Sequence, residues 1–194
     1  MVTPTNEKMY WGRRLQDNPV GEYRPNEGLI EAVSSNLMPP GRALVLSNDD
    51  GIDALYLAQV GYAVALVGFF PAELDIARQR IAETDAKVQI YTAEPTKMPF
   101  HSGEFDVVFD PRTYIALEGK ERELFLQEIF RLTHPGSYFV VVVPSYKDTP
   151  IGCMTKQTAV NAFQPPFEVL AVTDIGGVEG PALRYQYSIM MRRP

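Results

Sequence analysis

The sequence predicts an α/β protein: a doubly wound, mainly parallel sheet with helices on both faces and an antiparallel hairpin at its C-terminal edge. Three observations carry this. Short apolar runs alternate with segments of helical period from residue 43 to residue 144. One run, SYFVVVVP at 137–144, is almost wholly apolar, as in a strand covered on both faces. The last two apolar runs are separated by a glycine- and proline-rich loop, IGGVEGPA, with no helical segment between them.

The elements follow in chain order. Residues 1–25 are polar and irregular, with Tyr10, Trp11 and Tyr23 as scattered aromatics, and are expected to form an arm on a single domain spanning 26–194. Residues 26–37 show helical spacing, with Leu29, Ile30, Val33 and Leu37 on one face, and Pro39, Pro40 and Gly41 end that helix. Strand 43–47 leads through a turn into a helix over 52–60, closed by Gly61. Strand 62–69 follows, and Pro71 opens the helix PAELDIARQRIAET. Strands 87–93 and 104–110 precede an amphipathic helix over 119–133, whose expected buried face is Leu124, Phe125, Ile129 and Leu132. Strand 137–144, a helix near 155–163 and strands near 167–174 and 183–191 complete the chain. Alternation of this kind implies right-handed βαβ crossovers.

Composition narrows the function classes. The chain has 194 residues, 45% hydrophobic, with a formal net charge of −6 and no basic run. That balance argues against nucleic acid and anionic membranes as partners and leaves a small-molecule substrate as the expected one. Cys153 is the only cysteine, so neither an intrachain disulfide nor a cysteine metal cluster can form. MVTPTNEKMYWGRRL lacks the apolar core of a signal peptide, and the longest apolar runs are too short to cross a bilayer. The expectation is a soluble, cytoplasmic chain. The sequence does not set its oligomeric state.

In a doubly wound sheet the ligand lies beyond the C-terminal ends of the strands. Those ends are Ser47–Gly51, Gly68–Phe70, Ala93–Glu94, Asp110–Thr113 and Pro144–Tyr146. GRALVLSNDDGIDALYLAQVGYAVALVGFFPAELDIARQRI, MPFHSGEFDVVFDPRTYIAL, LFLQEIFRLTHPGSYFVVV and PPFEVLAV occur in that order along the chain. Together they resemble the class I S-adenosylmethionine (SAM) methyltransferases, and within them the thiopurine, thiol and halide methyltransferases and the tellurite-resistance proteins. The resemblance runs from about residue 27 to the C-terminus. It implies a Rossmann-like fold, SAM as cofactor, and methyl transfer to a small soluble nucleophile. It also makes the N-terminal arm, with Trp11 and Tyr23, a candidate lid.

Carried over residue by residue, the resemblance implies cofactor contacts at Ser47, Asn48, Asp49, Gly51, Asp53, Gly68 and Glu94. Glu94 stands where an acid pairs with the adenine amino group. Asp110 and Arg112 stand over the expected methyl-transfer site and are the candidate catalytic residues; a structural ion pair is the alternative. Tyr114 is read as a pocket or core residue. The departures are in the same positions. The cofactor loop is Ser47-Asn48-Asp49-Asp50-Gly51, with only its last glycine kept, and the ribose-binding acid at the end of the second strand is replaced by Gly68. Those departures leave a second reading open, a methyltransferase-fold protein that serves in binding or regulation. VLSNDDGI also matches the metal-binding turn of the survival-type nucleotidases, which gives a third reading, a metal-dependent phosphatase. Downstream segments follow the methyltransferase order, and no metal ligand is assigned. One of Asp49 and Asp50 is expected to cap the following helix in either case. His101 and His134 lie in turns without ligand spacing.

Overall fold

The computed structural model describes residues 24–46, 50–145, 154–176 and 185–194. The expected arm therefore lies outside the described residues except for Arg24 and Pro25, as do Cys153 and most of the loop between the last two strands. A first helix, α1 (Glu27–Ser34), leads into β1 (Arg42–Leu46), α2 (Ile52–Gln59), β2 (Ala63–Gly68), α3 (Pro71–Ala82) and β3 (Val88–Thr92). Then come β4 (Phe105–Asp110), the one-turn α4 (Thr113–Ala116), α5 (Gly119–Leu132) and β5 (Thr133–Pro144). The chain ends with α6 (Lys156–Phe163), β6 (Glu168–Ile175) and β7 (Gln186–Arg192).

The seven strands form one sheet in the order β3-β2-β1-β4-β5-β7-β6. The first five are parallel, with β1 paired to β2 from Arg42↔Ala63 to Leu46↔Val67 and to β4 from Ala43↔Val107 to Val45↔Phe109. β7 runs antiparallel between β5 and β6, so the expected hairpin is present and β6 is the edge.

The period of two along β1 splits its side chains between two cores. Ala43 and Val45 pack with Leu29, Leu57 and Leu74 of α1, α2 and α3. Leu44 and Leu46 pack with Phe125, Ile129 and Phe163 of α5 and α6 on the opposite face. Helices thus cover both faces, and the strands between them read as continuous apolar runs. The described residues contain no helix long and apolar enough to cross a membrane.

Three elements differ from expectation. On α5 the buried face is Phe125, Glu128, Ile129 and Leu132, while Leu124 is 40% exposed. A buried Phe, Ile or Leu contributes roughly 1.5–3 kcal/mol, more than any helix-propensity difference, so Phe125, Ile129 and Leu132 set the rotation and Glu128 comes in with them. Arg131 makes that tolerable. Its Nε and Nη2 each donate to the Glu128 carboxylate at 2.7 Å, and the Met98 amide donates to it as well, at 2.7 Å. Burial opposes the Glu128 charge, but the Arg131 fork and the Met98 amide outweigh it and hold the carboxyl below its usual range. On α1 the buried residues are Gly28, Leu29 and Ala32, and Leu37 lies beyond the helix and exposed. β5 begins at Thr133, four residues early, because Thr133 pairs with Phe105 before a register shift into the main ladder.

Candidate cofactor site

β1 and β4 are neighbours, yet the strand order runs away from them in opposite directions. That is the switch point at which a doubly wound sheet opens a crevice beyond its strand ends. The segments that close over it are the turn after β1 and the turn after β4.

After β1, Ser47, Asn48 and Asp49 lie outside the described residues. Asp50 and Gly51 are described, and both serve the start of α2. The Asp50 carboxylate accepts from the Ile52 amide at 3.1 Å, and the Arg80 guanidinium reaches it at 3.2 Å and the Asp50 carbonyl at 2.8 Å. Asp50 thus holds the turn into α2 through the first helical amide and is clamped from α3. Gly51 occupies the left-handed region at φ 75°. A Cβ there would lie 2.9 Å from the Ala77 Cβ, so α3 packs directly on bare backbone.

Asp53 stands one residue into α2. Its Oδ1 accepts from the Asn26 amide at 2.7 Å, while the Asn26 side chain caps α1 through the Gly28 amide at 2.9 Å. The start of α1 is therefore tied to the cofactor-loop helix. Burial pushes the Asp53 carboxyl up to about 7; the Asn26 amide pulls against this, Asp50 adds to it, and Arg112 opposes it. Asn26 was not among the sequence candidates. Its signal, an Asn directly before a helical run, is the ordinary N-cap signature.

After β4, Asp110 is wholly buried. One carboxylate oxygen accepts from the Arg112 amide at 3.0 Å and the Thr113 amide at 2.5 Å, and the other from the Tyr114 amide at 2.8 Å. Burial raises its pKa, and these three amides pull it back. Both oxygens thus serve the start of α4, so Asp110 shapes the turn. Arg112 is half-buried, and its charge is felt at Asp53 across the switch point. Tyr114 is a core residue: its ring lies 4.7 Å from that of Phe163, with the Arg122 guanidinium 4.9 Å above it.

At the remaining strand ends, Gly68 is buried at the close of β2, and a Cβ there would lie 2.5 Å from Leu74 Cδ2. Glu94 is exposed just past β3, in a turn closed by the Lys97 amide on the Glu94 carbonyl at 3.1 Å. Geometry therefore gathers Gly51, Asp53, Asp110 and Arg112 about the switch point, with Gly68 and Glu94 on successive strands beside it. His134 lies at the other end of the sheet, its Nε2 3.0 Å from Asp106 Oδ1. His101 is exposed in the turn before β4.

The donor set fits a SAM-type cofactor in part. Glu94 offers an exposed carboxylate, whereas the bare face of Gly51 is taken up by α3 and the end of β2 offers no acid.

A family model described as a methyltransferase domain matches residues 48–141. No protein of curated function matches the sequence significantly. Three solved structures are similar in fold. One, described for the conversion of a disulfide bond into a thioacetal group during echinomycin biosynthesis, has a TM-score of 0.77 at 17% identity, covering 96% of this chain and 92% of the other. The N-methyltransferase NodS from Bradyrhizobium japonicum WM9, in complex with S-adenosyl-L-homocysteine (SAH), gives 0.74 at 13% identity over 96% and 97% of the two chains. TehB from Haemophilus influenzae gives 0.71 at 12% identity over 95% of this chain and 66% of its own. At these identities the structures show the fold alone. The family model adds a likeness to a methyltransferase domain over residues 48–141, the stretch that holds the turns after β1 and β4.

Proposed function

From a methyltransferase domain built around the β1–β4 switch point, we propose that this chain transfers a methyl group from SAM to a small soluble nucleophile. The observation that carries the reading is the family match over residues 48–141, coinciding with a crevice whose first turn keeps a left-handed glycine pressed against α3. SAM supplies an activated methyl on its sulfonium. The chain's part is to bind and align, and alignment alone is worth several kcal/mol of barrier. A soft nucleophile such as a thiol needs no strong base, which suits a site whose acids, Asp53 and Asp110, are engaged by backbone amides. In this reading Gly51 and the turn before it hold the amino-acid end of the cofactor, Glu94 the adenine, and Arg112 orients the acceptor beyond β4. The thiopurine-like and tellurite-resistance-like grouping is the finer part of the same proposal, and the TehB fold is its structural counterpart.

Calorimetric titration with SAM and SAH tests it, followed by methyl transfer to a panel of small thiols and amines. Binding of both, with turnover on a thiol, is the expected result. No heat and no melting shift at millimolar ligand would overturn it. Glu94→Ala should weaken SAH binding by about 1–3 kcal/mol, the cost of leaving a polar partner unmet; unchanged affinity removes Glu94 from the site.

A further inference from the structure

Doubly wound nucleotide-binding folds bond the ribose hydroxyls with an acid at the end of the second strand, about twenty residues past the glycine loop. Here the chain runs Gly68-Phe69-Phe70-Pro71 at that place, seventeen residues past Gly51. Packing explains the absence of an acid. A Cβ at Gly68 would sit 2.5 and 2.6 Å from Leu74 Cδ2 and Cγ, and Leu74 is a fully buried side chain of α3. α3 has closed onto the strand end, and no side chain fits between them. What the chain presents next is aromatic. Phe69 is half-buried and packs on the same core as Tyr91 and Ala93 at the end of β3, while Phe70 is 43% exposed.

We propose that this site reads its nucleoside by apolar contact at Phe69 and does not read the ribose diol through a carboxylate at the end of β2. The inference deepens the SAM reading and rests on it. Sugar hydroxyls then face water or phenyl rings, and their removal forfeits no charge-assisted hydrogen bond. The site becomes tolerant of sugar-modified cofactors, a specificity set by the Gly68–Leu74 contact.

Titration calorimetry of the full chain with SAH, 2′-deoxy-SAH and 3′-deoxy-SAH separates the possibilities. The expected result is three dissociation constants within about threefold of one another. Phe69→Ala should weaken all three alike, by fivefold or more, because it removes a contact to the base and not to the diol. A tenfold or greater loss for either deoxy analogue overturns the inference while leaving the cofactor reading intact. So does a Phe69→Ala variant, still folded by its melting curve, that binds SAH as the parent does. Failure of SAH itself to bind overturns the cofactor reading, and this inference falls with it.

Discussion

At the N-terminal ends of the strands, charged side chains close on opposite charges and on carbonyls. Arg42 pairs with Glu104 at 2.6 Å, and Asp106 accepts the Arg42 amide at 2.7 Å while facing His134. Arg131 forks onto Glu128 and also donates to the Phe100 and Met98 carbonyls at 2.7 and 3.2 Å. Arg193 donates to the carbonyls of Phe130 and Thr133, its guanidinium 3.7 Å over the Phe130 ring. At the C-terminal ends the pattern is different. Asp110 is wholly buried and Asp53 half-buried, both are answered by backbone amides, and burial raises both pKa values. The enclosed acid of one end is held charged by a cation, whereas the acids of the other end are pushed toward neutrality. The joint is made of satisfied ion pairs, and the proposed site is the end whose carboxyls are raised.

The largest effect belongs to the joint. Glu128→Ala should destabilise by about 3 kcal/mol, because Arg131 and the Met98 amide lose their shared partner. For a chain of this length that lowers Tm by roughly 6–12 °C. The Glu128 carboxyl lies below its ordinary value of 4.5, so its contribution is full above that pH and is lost as pH falls through the lower folded value. Thermal melts between pH 3 and 7 should show the parent losing stability in acid and Glu128→Gln losing less. An acid limb that is the same in both would remove Glu128 as the cause.

The next effect crosses to the site. Gly51→Ala meets both the φ of 75° and the 2.9 Å approach of Ala77, so it should cost about 2 kcal/mol and weaken SAH binding together with stability. A variant that melts like the parent would show that α3 can give way. A smaller effect of opposite sign is expected at Asp53. Its folded pKa, about 7, lies above the unfolded 3.8, so the folded chain keeps a proton that the unfolded chain has released between those values. Stability from this group is complete below pH 3.8 and lost as pH rises through 7. Asp53→Asn keeps an acceptor for the Asn26 amide and removes the charge. Above pH 7 it should exceed the parent by about 1–2 kcal/mol, a figure reduced from about 1.4 kcal/mol per pH unit because the residue is only half-buried. Equal stability of the two at pH 8 would mean that the carboxylate is better solvated than its enclosure implies.

The fold was legible because it rests on periodicity. β1, α2, β2, α3, β4 and α5 lie within two residues of their expected bounds, and the hairpin followed from one glycine-rich loop. The errors share a physical cause, polar groups that find partners inside. Glu128 came inward with Phe125, Ile129 and Leu132, and Arg131 and the Met98 amide satisfy it there, partners that spacing along one helix does not display. Asp110 read as a site residue because it ends a strand. Its carboxylate takes the amides of Arg112, Thr113 and Tyr114 and so holds the turn into α4, a helix too short to show a period. Gly68 was legible as a departure, but its reason, the pressure of Leu74, is a contact between elements that spacing does not display.

Hydrogen exchange of the full chain with and without SAH tests most directly the claim that one end of the sheet is the site and the other a joint. Peptides covering 50–56, 68–72, 92–96 and 110–116 should slow on SAH addition, while those covering 98–104 and 128–137 should exchange as before. Protection confined to the second set, or spread evenly over both, would contradict the assignment of the cofactor to the β1–β4 switch point.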